Sequence, residues 1–175
     1  MDILEAIKKR HCFRGKFKNQ PLDKDTVRQI VQAGLEAPSG CNNQTTRFII
    51  VDDPQKIAEM KKTQEGNLAY QTVQAYIAII IDKEPKPVYH DMSFQVEDAA
   101  VAVENILLAA TSFGYASVWL DGWLRLTGVS ESISKILAIP EDKQLRILLP
   151  LGIPDGEISV PQKMAFEERV SYNTY

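Results

Sequence analysis

Two apolar rhythms alternate along the chain. At Val27, Ile30, Val31, Gly34 and Leu35 the apolar positions recur three and four apart, the signature of one helix face. Arg47-Phe48-Ile49-Ile50-Val51 is instead rich in β-branched residues and reads as a strand. Tyr76-Ile77-Ala78-Ile79-Ile80-Ile81 is a continuous apolar run, the pattern of an interior strand covered on both faces. From about 93 to 113 the pattern is helical and apolar on nearly every side, through Ala99 to Val103 and Ile106 to Ala110. Such a helix is buried all round, in a large core or at a subunit interface. Punctuating residues set the remaining elements. Asp2 and Glu5 have capping-box spacing and open a helix over about 2–9. The second helix follows Pro21-Leu22-Asp23 and stops at Ala37-Pro38, because a residue before proline avoids the helical region. Asp53-Pro54 supplies a cap and a first-turn proline for a helix over 54–63. A short helix running to about Ala75, a strand over 116–120 behind the stop signal Gly114, a helix over 131–138 and a strand over 145–151 complete the series.

Helices alternating with strands predict a layered α/β or α+β subunit, with helices covering a sheet. At 175 residues the chain suits one domain, 1–175. A monomer of that size would struggle to enclose so apolar a helix, so we expect a homodimer, with the tail from Ile153 onward packing on the partner. Composition, with 45% apolar and 25% charged residues, is that of an ordinary globular protein. The net charge of −3 leaves no basic surplus for nucleic-acid binding. The longest apolar runs fall far short of the roughly 20 residues of a membrane span. Two cysteines, Cys12 and Cys41, exclude a disulfide scaffold, and a start of Met1-Asp2-Ile3-Leu4-Glu5 is no signal peptide. A cytoplasmic protein is expected, with no membrane or nucleic-acid partner.

Four segments could carry chemistry. Arg10-His11-Cys12-Phe13-Arg14 follows a helix, and two guanidiniums four residues apart can converge on a phosphate. The same run could be a solvated basic face. Ser39-Gly40-Cys41-Asn42-Asn43-Gln44 gathers amides that suit the edge of a heterocycle, although such residues also make plain turns. Trp119-Leu120-Asp121-Gly122-Trp123 closes a strand, where a glycine lets a ligand approach the backbone, or where Asp121 merely caps. Gly152 ends the last strand, and Lys163 adds a cation or a surface lysine. No GxGxxG, Walker or GxSxG motif is present, and the two histidines and two cysteines are not spaced for zinc. His90 reads as a surface residue, and Glu97 and Asp98 as partners of a helix dipole. Glu104, if buried, would need a partner.

In order and spacing these pieces resemble the FMN-dependent nitroreductase family. The matching segments are 10–14, Ala37-Pro38-Ser39-Gly40-Cys41-Asn42-Asn43-Gln44, Glu97-Asp98-Ala99-Ala100, Gly114-Tyr115-Ala116-Ser117-Val118-Trp119 and Leu149-Pro150-Leu151-Gly152. The resemblance implies an α+β fold: a three-layer α/β/α sandwich with a mixed central sheet, as an intertwined homodimer with FMN at the interface. It implies Arg10, Arg14 and Lys163 on the phosphate and ribityl chain, His11 and Cys12 between them, and Ser39 and Gly40 beside the ring. Asn42 and Gln44 would reach across the interface. Asn67, with Gln71 as fallback, would read the pyrimidine edge, and Leu120, Asp121 and Gly122 would turn a backbone N–H toward flavin N5, with Gly152 nearby. The implied activity is hydride transfer from NADH or NADPH to FMN and then to a nitroaromatic, quinone or similar small-molecule acceptor, by a ping-pong mechanism. The alternatives are a flavin-binding or regulatory protein without turnover, and a specialised member with another acceptor. Two departures flank the implied acceptor pocket: Thr45-Thr46 stands where many members carry Pro-Trp, and the stretch 82–94 is short.

Overall fold

In the computed structural model the chain is described over residues 1–126, 128–157 and 159–175; Thr127 and Ile158, the latter within the tail expected to pack on a partner, lie outside the described residues. The elements run α1 (Ile3–Lys9), α2 (Lys24–Leu35), β1 (Arg47–Val51), α3 (Pro54–Lys61), α4 (Leu68–Thr72), β2 (Ala75–Asp82), α5 (Gln95–Ser112), β3 (Ala116–Ser117), α6 (Gly122–Leu126), α7 (Val129–Ile136) and β4 (Lys143–Gly152). Caps set most helix starts. Asp2, Asp23, Asp53 and Asn67 each accept a hydrogen bond from the N–H three residues on. The box expected at α1 is half formed, because the Glu5 carboxylate takes Lys9 Nζ at 2.6 Å.

The sheet has the order β1-β2-β4-β3, and its ladders are antiparallel. The mixed character expected of it is confined to one parallel bridge, between Cys12 and Ser117. The expected third layer is present. The apolar run of β2 is buried throughout because its alternate residues face opposite cores. Ile77, Ile79 and Ile81 pack with Val27, Ile30 and Val31 of α2 and Val103 and Ile106 of α5. Tyr76, Ala78 and Ile80 face Ile57 and Met60 of α3, Tyr70 of α4, Leu124 of α6 and Ile133 of α7. Burying each isoleucine is worth about 1.5–3 kcal/mol.

Two expectations change. The strand over 116–120 shrinks to Ala116–Ser117, and Leu120 rejoins the sheet through a separate bridge to Leu148. The following turn carries the unanticipated helix α6. Helix α5 is not enclosed on every side within one subunit: Ala99, Val103 and Ile106 are buried, whereas Val96 and Val101 are exposed. The tail beyond Asp155 is exposed at its described residues, including Met164, Phe166 and Tyr172.

One irregularity bears on the site. In β4, Leu145 pairs with Ile80 and Ile147 with the adjacent Ile79, so Arg146 is the extra residue of a β-bulge. The bulge turns Leu145 and Ile147 to opposite cores, although two residues apart on a regular strand would share a face.

Candidate functional site

The N-terminal loop is fastened to the sheet at one point. Arg10 closes α1, its N–H donating to Ala6 O at 2.8 Å. Cys12 bridges Ser117, and Phe13 N donates to Ser117 O at 2.8 Å. Beyond it, Phe17 bridges Pro154 and lies against Gly152, whose absent side chain leaves the space: a Cβ there would sit 2.6 Å from Phe17 Cγ. The expected contact residue Gly152 is therefore buried and serves packing.

Within this loop the charges are partly committed. Arg10 Nε pairs with Glu104 Oε1 of α5 at 3.1 Å, which supplies the partner sought for Glu104; that carboxylate is half exposed rather than buried. Arg14 is exposed. His11 Nδ1 lies 2.9 Å from Lys9 O, so Nδ1 is the nitrogen that donates to this carbonyl. Nε2 is buried without a hydrogen-bond partner, as is Ser117 Oγ.

The turn over 120–122 lies beside this loop in the sheet. Leu120 and Leu148 exchange backbone hydrogen bonds of 3.1 and 2.9 Å. The Asp121 side chain is held by two guanidiniums. Its Oδ1 receives Arg146 Nη1 at 2.5 Å and Arg125 Nε at 2.7 Å. A Cβ built on Gly122 would meet nothing within 4 Å, so the backbone of the turn faces open space. Helix α4 adjoins the same turn through the Tyr70 ring, edge-on to Trp123 at 5.7 Å. Asn67 caps α4 with its oxygen, accepting from Tyr70 N at 3.0 Å, which leaves its amide nitrogen for other partners. Gln71, the fallback, spends its amide nitrogen on Lys61 O at 2.6 Å and on Gln64 O.

The loop over 39–44 stands apart from this group, at the first turn of α5. One buried carboxylate fastens it: Asp98 Oδ1 accepts from Gly40 N and Oδ2 from Thr45 Oγ1, both at 2.8 Å. Ser39 Oγ accepts from Gln44 N at 3.0 Å and closes the loop. Cys41, Asn42 and Gln44 hold left-handed backbone, with φ of 49°, 54° and 49°, a conformation that non-glycine residues keep only where the surroundings enforce it. The side chains of Asn42 and Gln44 are exposed. A cleft of about 470 Å³ opens beside this loop, between α2 and β1, and is lined by Ser39, Gln44, Thr46 and Asp98 among others. From sequence Asp98 reads only as a dipole partner; its role as a staple depends on a pairing 58 residues long.

Asp98 and Glu104 are six residues apart on α5, about 9 Å along its axis and a third of a turn around it. The loop over 39–44 and the Arg10 cluster therefore meet the helix on different faces. The chain brings residues 10–14 and 120–122 to the sheet at Ser117 and Leu148 and carries 39–44 elsewhere. Lys163 is exposed on the tail. Among the described residues no helix is long and apolar enough to cross a membrane and no cluster could hold a metal ion.

Comparison with known proteins identifies the family. Residues 7–78 and 64–153 match the model of the nitroreductase family. A protein of Archaeoglobus fulgidus with the provisional name NADH dehydrogenase/NAD(P)H nitroreductase is 31% identical over 89% of this chain and 87% of its own. An NADPH-dependent oxidoreductase of Staphylococcus saprophyticus is 28% identical over 99% of this chain and 74% of its own. Among solved structures, an FMN-dependent nitroreductase of Clostridium difficile superposes with a TM-score of 0.81 at 25% identity, covering 98% of this chain and 99% of that one. With the family match spanning the N-terminal loop, the 39–44 loop, the long helix and the 120–122 turn alike, the chain belongs to the nitroreductase family.

Proposed function

We propose that the chain is an FMN-dependent oxidoreductase that takes a hydride from NADH or NADPH and passes it to a nitroaromatic, quinone or similar small-molecule acceptor in a ping-pong cycle. The observation that carries this reading is the junction of a cationic loop with an open-backed turn: Cys12 joins Ser117, and Leu120 joins Leu148, on one end of the sheet. The residues fit the cofactor. Arg10 and Arg14 suit a phosphate of close to two negative charges. The open space over Gly122 suits a planar ring approaching backbone. The unpartnered Ser117 Oγ and His11 Nε2 mark the junction as a place where polar atoms await a ligand or a small side-chain adjustment.

Bound FMN supplies the hydride chemistry, accepting from the nicotinamide and donating to the acceptor. The chain's residues bind and orient. Arg10, Arg14 and Lys163 hold the phosphate, and Asn67 offers its free amide nitrogen to the ring edge. The 120–122 turn presents backbone N–H to the reactive nitrogen of the ring. The preset loop Ser39–Gln44 acts on the cofactor of a second subunit, since it meets α5 on a different face from Arg10. The exposed residues Ile3, Leu4 and Ile7 on α1, with Val96 and Val101 on α5, form the apolar surface of that homodimer. The tail over 153–175 packs on the partner in it.

The test is a visible absorption spectrum of purified protein before and after anaerobic NADH or NADPH. Flavin bands that bleach, and return on adding a quinone or nitroaromatic, are expected. A protein that takes up no FMN, or whose flavin neither donor bleaches, would sink the reading.

A further inference from the structure

We infer that Arg146 is a positioning residue for hydride transfer: delivered by the bulge in β4, it fixes Asp121 and the 120–122 turn and contributes the surplus positive charge there. The inference rests on the proposed function, and deepens it at one residue.

The argument starts from register. A regular β4 would pair consecutive residues with consecutive residues of β2, but the pairing steps from Leu145–Ile80 directly to Ile147–Ile79. The skipped residue is Arg146. Bulges re-aim side chains and gather beside active sites. Here the bulge places a guanidinium that is 16% exposed against a carboxylate that is 20% exposed. Removing both from water that far is costly unless the geometry is good, and the contact is short, 2.5 Å from Arg146 Nη1 to Asp121 Oδ1. The second cation, Arg125, is on the solvent side at 57% exposure. The three groups together carry one more positive than negative charge.

Two consequences follow for chemistry at this turn. Leu120 is pinned by backbone bonds to Leu148, and Asp121 by its side chain to Arg146, so consecutive residues are tied to the same strand. A donor N–H held this way needs no reorganisation when charge develops near it. In the reductive step two electrons and one proton leave the reduced nicotinamide as a hydride. The nicotinamide would become its oxidised cation, and a flavin held at the turn would gain one negative charge. A net positive cluster at the turn favours that change and raises the flavin's midpoint potential.

The variants R146K, R146Q and R146M separate charge from geometry. In FMN-loaded protein, the midpoint potential of R146K is expected to stay near the wild-type value. Those of R146Q and R146M are expected to become more negative, with NAD(P)H bleaching at least tenfold slower and FMN affinity within about threefold. In apoprotein, amide hydrogen exchange at Leu120 and Leu148, whose N–H groups donate to each other's carbonyls, is expected to quicken at least tenfold in R146Q and R146M. Should R146M fail to fold, R146Q carries the test, since glutamine keeps a polar side chain at the bulge but is uncharged and too short to hold Asp121 as the guanidinium does. A wild-type potential, or unchanged exchange at these two amides, in R146Q would overturn the inference. Wild-type protein that takes up no FMN would overturn the reading beneath it, and the apoprotein exchange would still decide whether Arg146 positions the turn.

Discussion

Arg14 and Arg10 differ in what they can offer a phosphate. Arg14 is exposed, whereas Arg10 is already held by Glu104 at 3.1 Å. Arg14→Ala should therefore cost FMN binding the full value of a charge-assisted hydrogen bond, about 1.5–3 kcal/mol. Arg10→Ala should cost as much or more, because it also leaves Glu104 unpaired beside the anion. Titration of apoprotein with FMN by flavin fluorescence measures both, and unchanged affinity in the two variants would remove the clamp. Residue types made this cluster visible in sequence, since two arginines in a short loop announce themselves. Arg146 gave no such sign. It sits in Leu145-Arg146-Ile147-Leu148, where alternation hides the bulge that turns it toward Asp121. Nor do the residue types Cys41 and Gln44 foretell left-handed backbone, which the Asp98 staple enforces from 58 positions away.

At the level of elements, local signals travelled furthest. The caps Asp23 and Asp53, the proline at Pro54 and the period of α2 all appear where the sequence sets them. What stayed illegible were pieces too short for a period, namely β3 and α6, whose extent is decided by pairing with β4 and packing on α7. The α2 cap yields a pH prediction. The Thr26 hydroxyl, and then the Thr26 N–H, hold the Asp23 carboxyl below its ordinary value. A lowered carboxyl stabilises the fold above the usual aspartate pKa of about 4 and loses that contribution as pH falls through the folded value. Asp23→Asn keeps a capping oxygen but cannot titrate. Between pH 6 and 2.5 the melting temperature of wild type should fall more than that of D23N, and parallel curves would show that the cap's charge is irrelevant. The α2–α5 contact yields another. A Cβ on Gly34 would sit 2.8 Å from two atoms of Ile106 and 3.3 Å from Ala102 O. Overpacking of about 1–3 kcal/mol should outweigh the roughly 1 kcal/mol that alanine gains in helix propensity. Gly34→Ala should thus lower the urea midpoint, and a raised midpoint would mean that the two helices part easily.

For the whole molecule, the three layers were foreseeable because β2 is apolar on both faces and needs a helical cover on each. The helix α5 signalled an unfilled contact, and in the subunit Val96 and Val101 indeed remain exposed. The path of the tail was not legible, as its proline and charged residues carry no period. Sedimentation equilibrium should return twice the chain's mass. Deleting residues 155–175 removes Met164, Phe166 and Tyr172, all more than half exposed in the single chain. The deletion should shift that equilibrium toward monomer and weaken FMN retention together, and a truncated chain that stays dimeric and yellow would show the tail to be dispensable.

The two-sided approach to α5, with Asp98 holding one loop and Glu104 holding Arg10 on another face, also bears on how the protein behaves when scarce. The proposed FMN site, completed by a second copy, would obey the mass action of three molecules, not two. Cofactor occupancy then falls with a steeper concentration dependence than a self-contained site allows, and dilution sheds flavin even at fixed free FMN. Added FMN, conversely, would draw chains into pairs, so flavin supply and the stock of this protein would set the active fraction jointly.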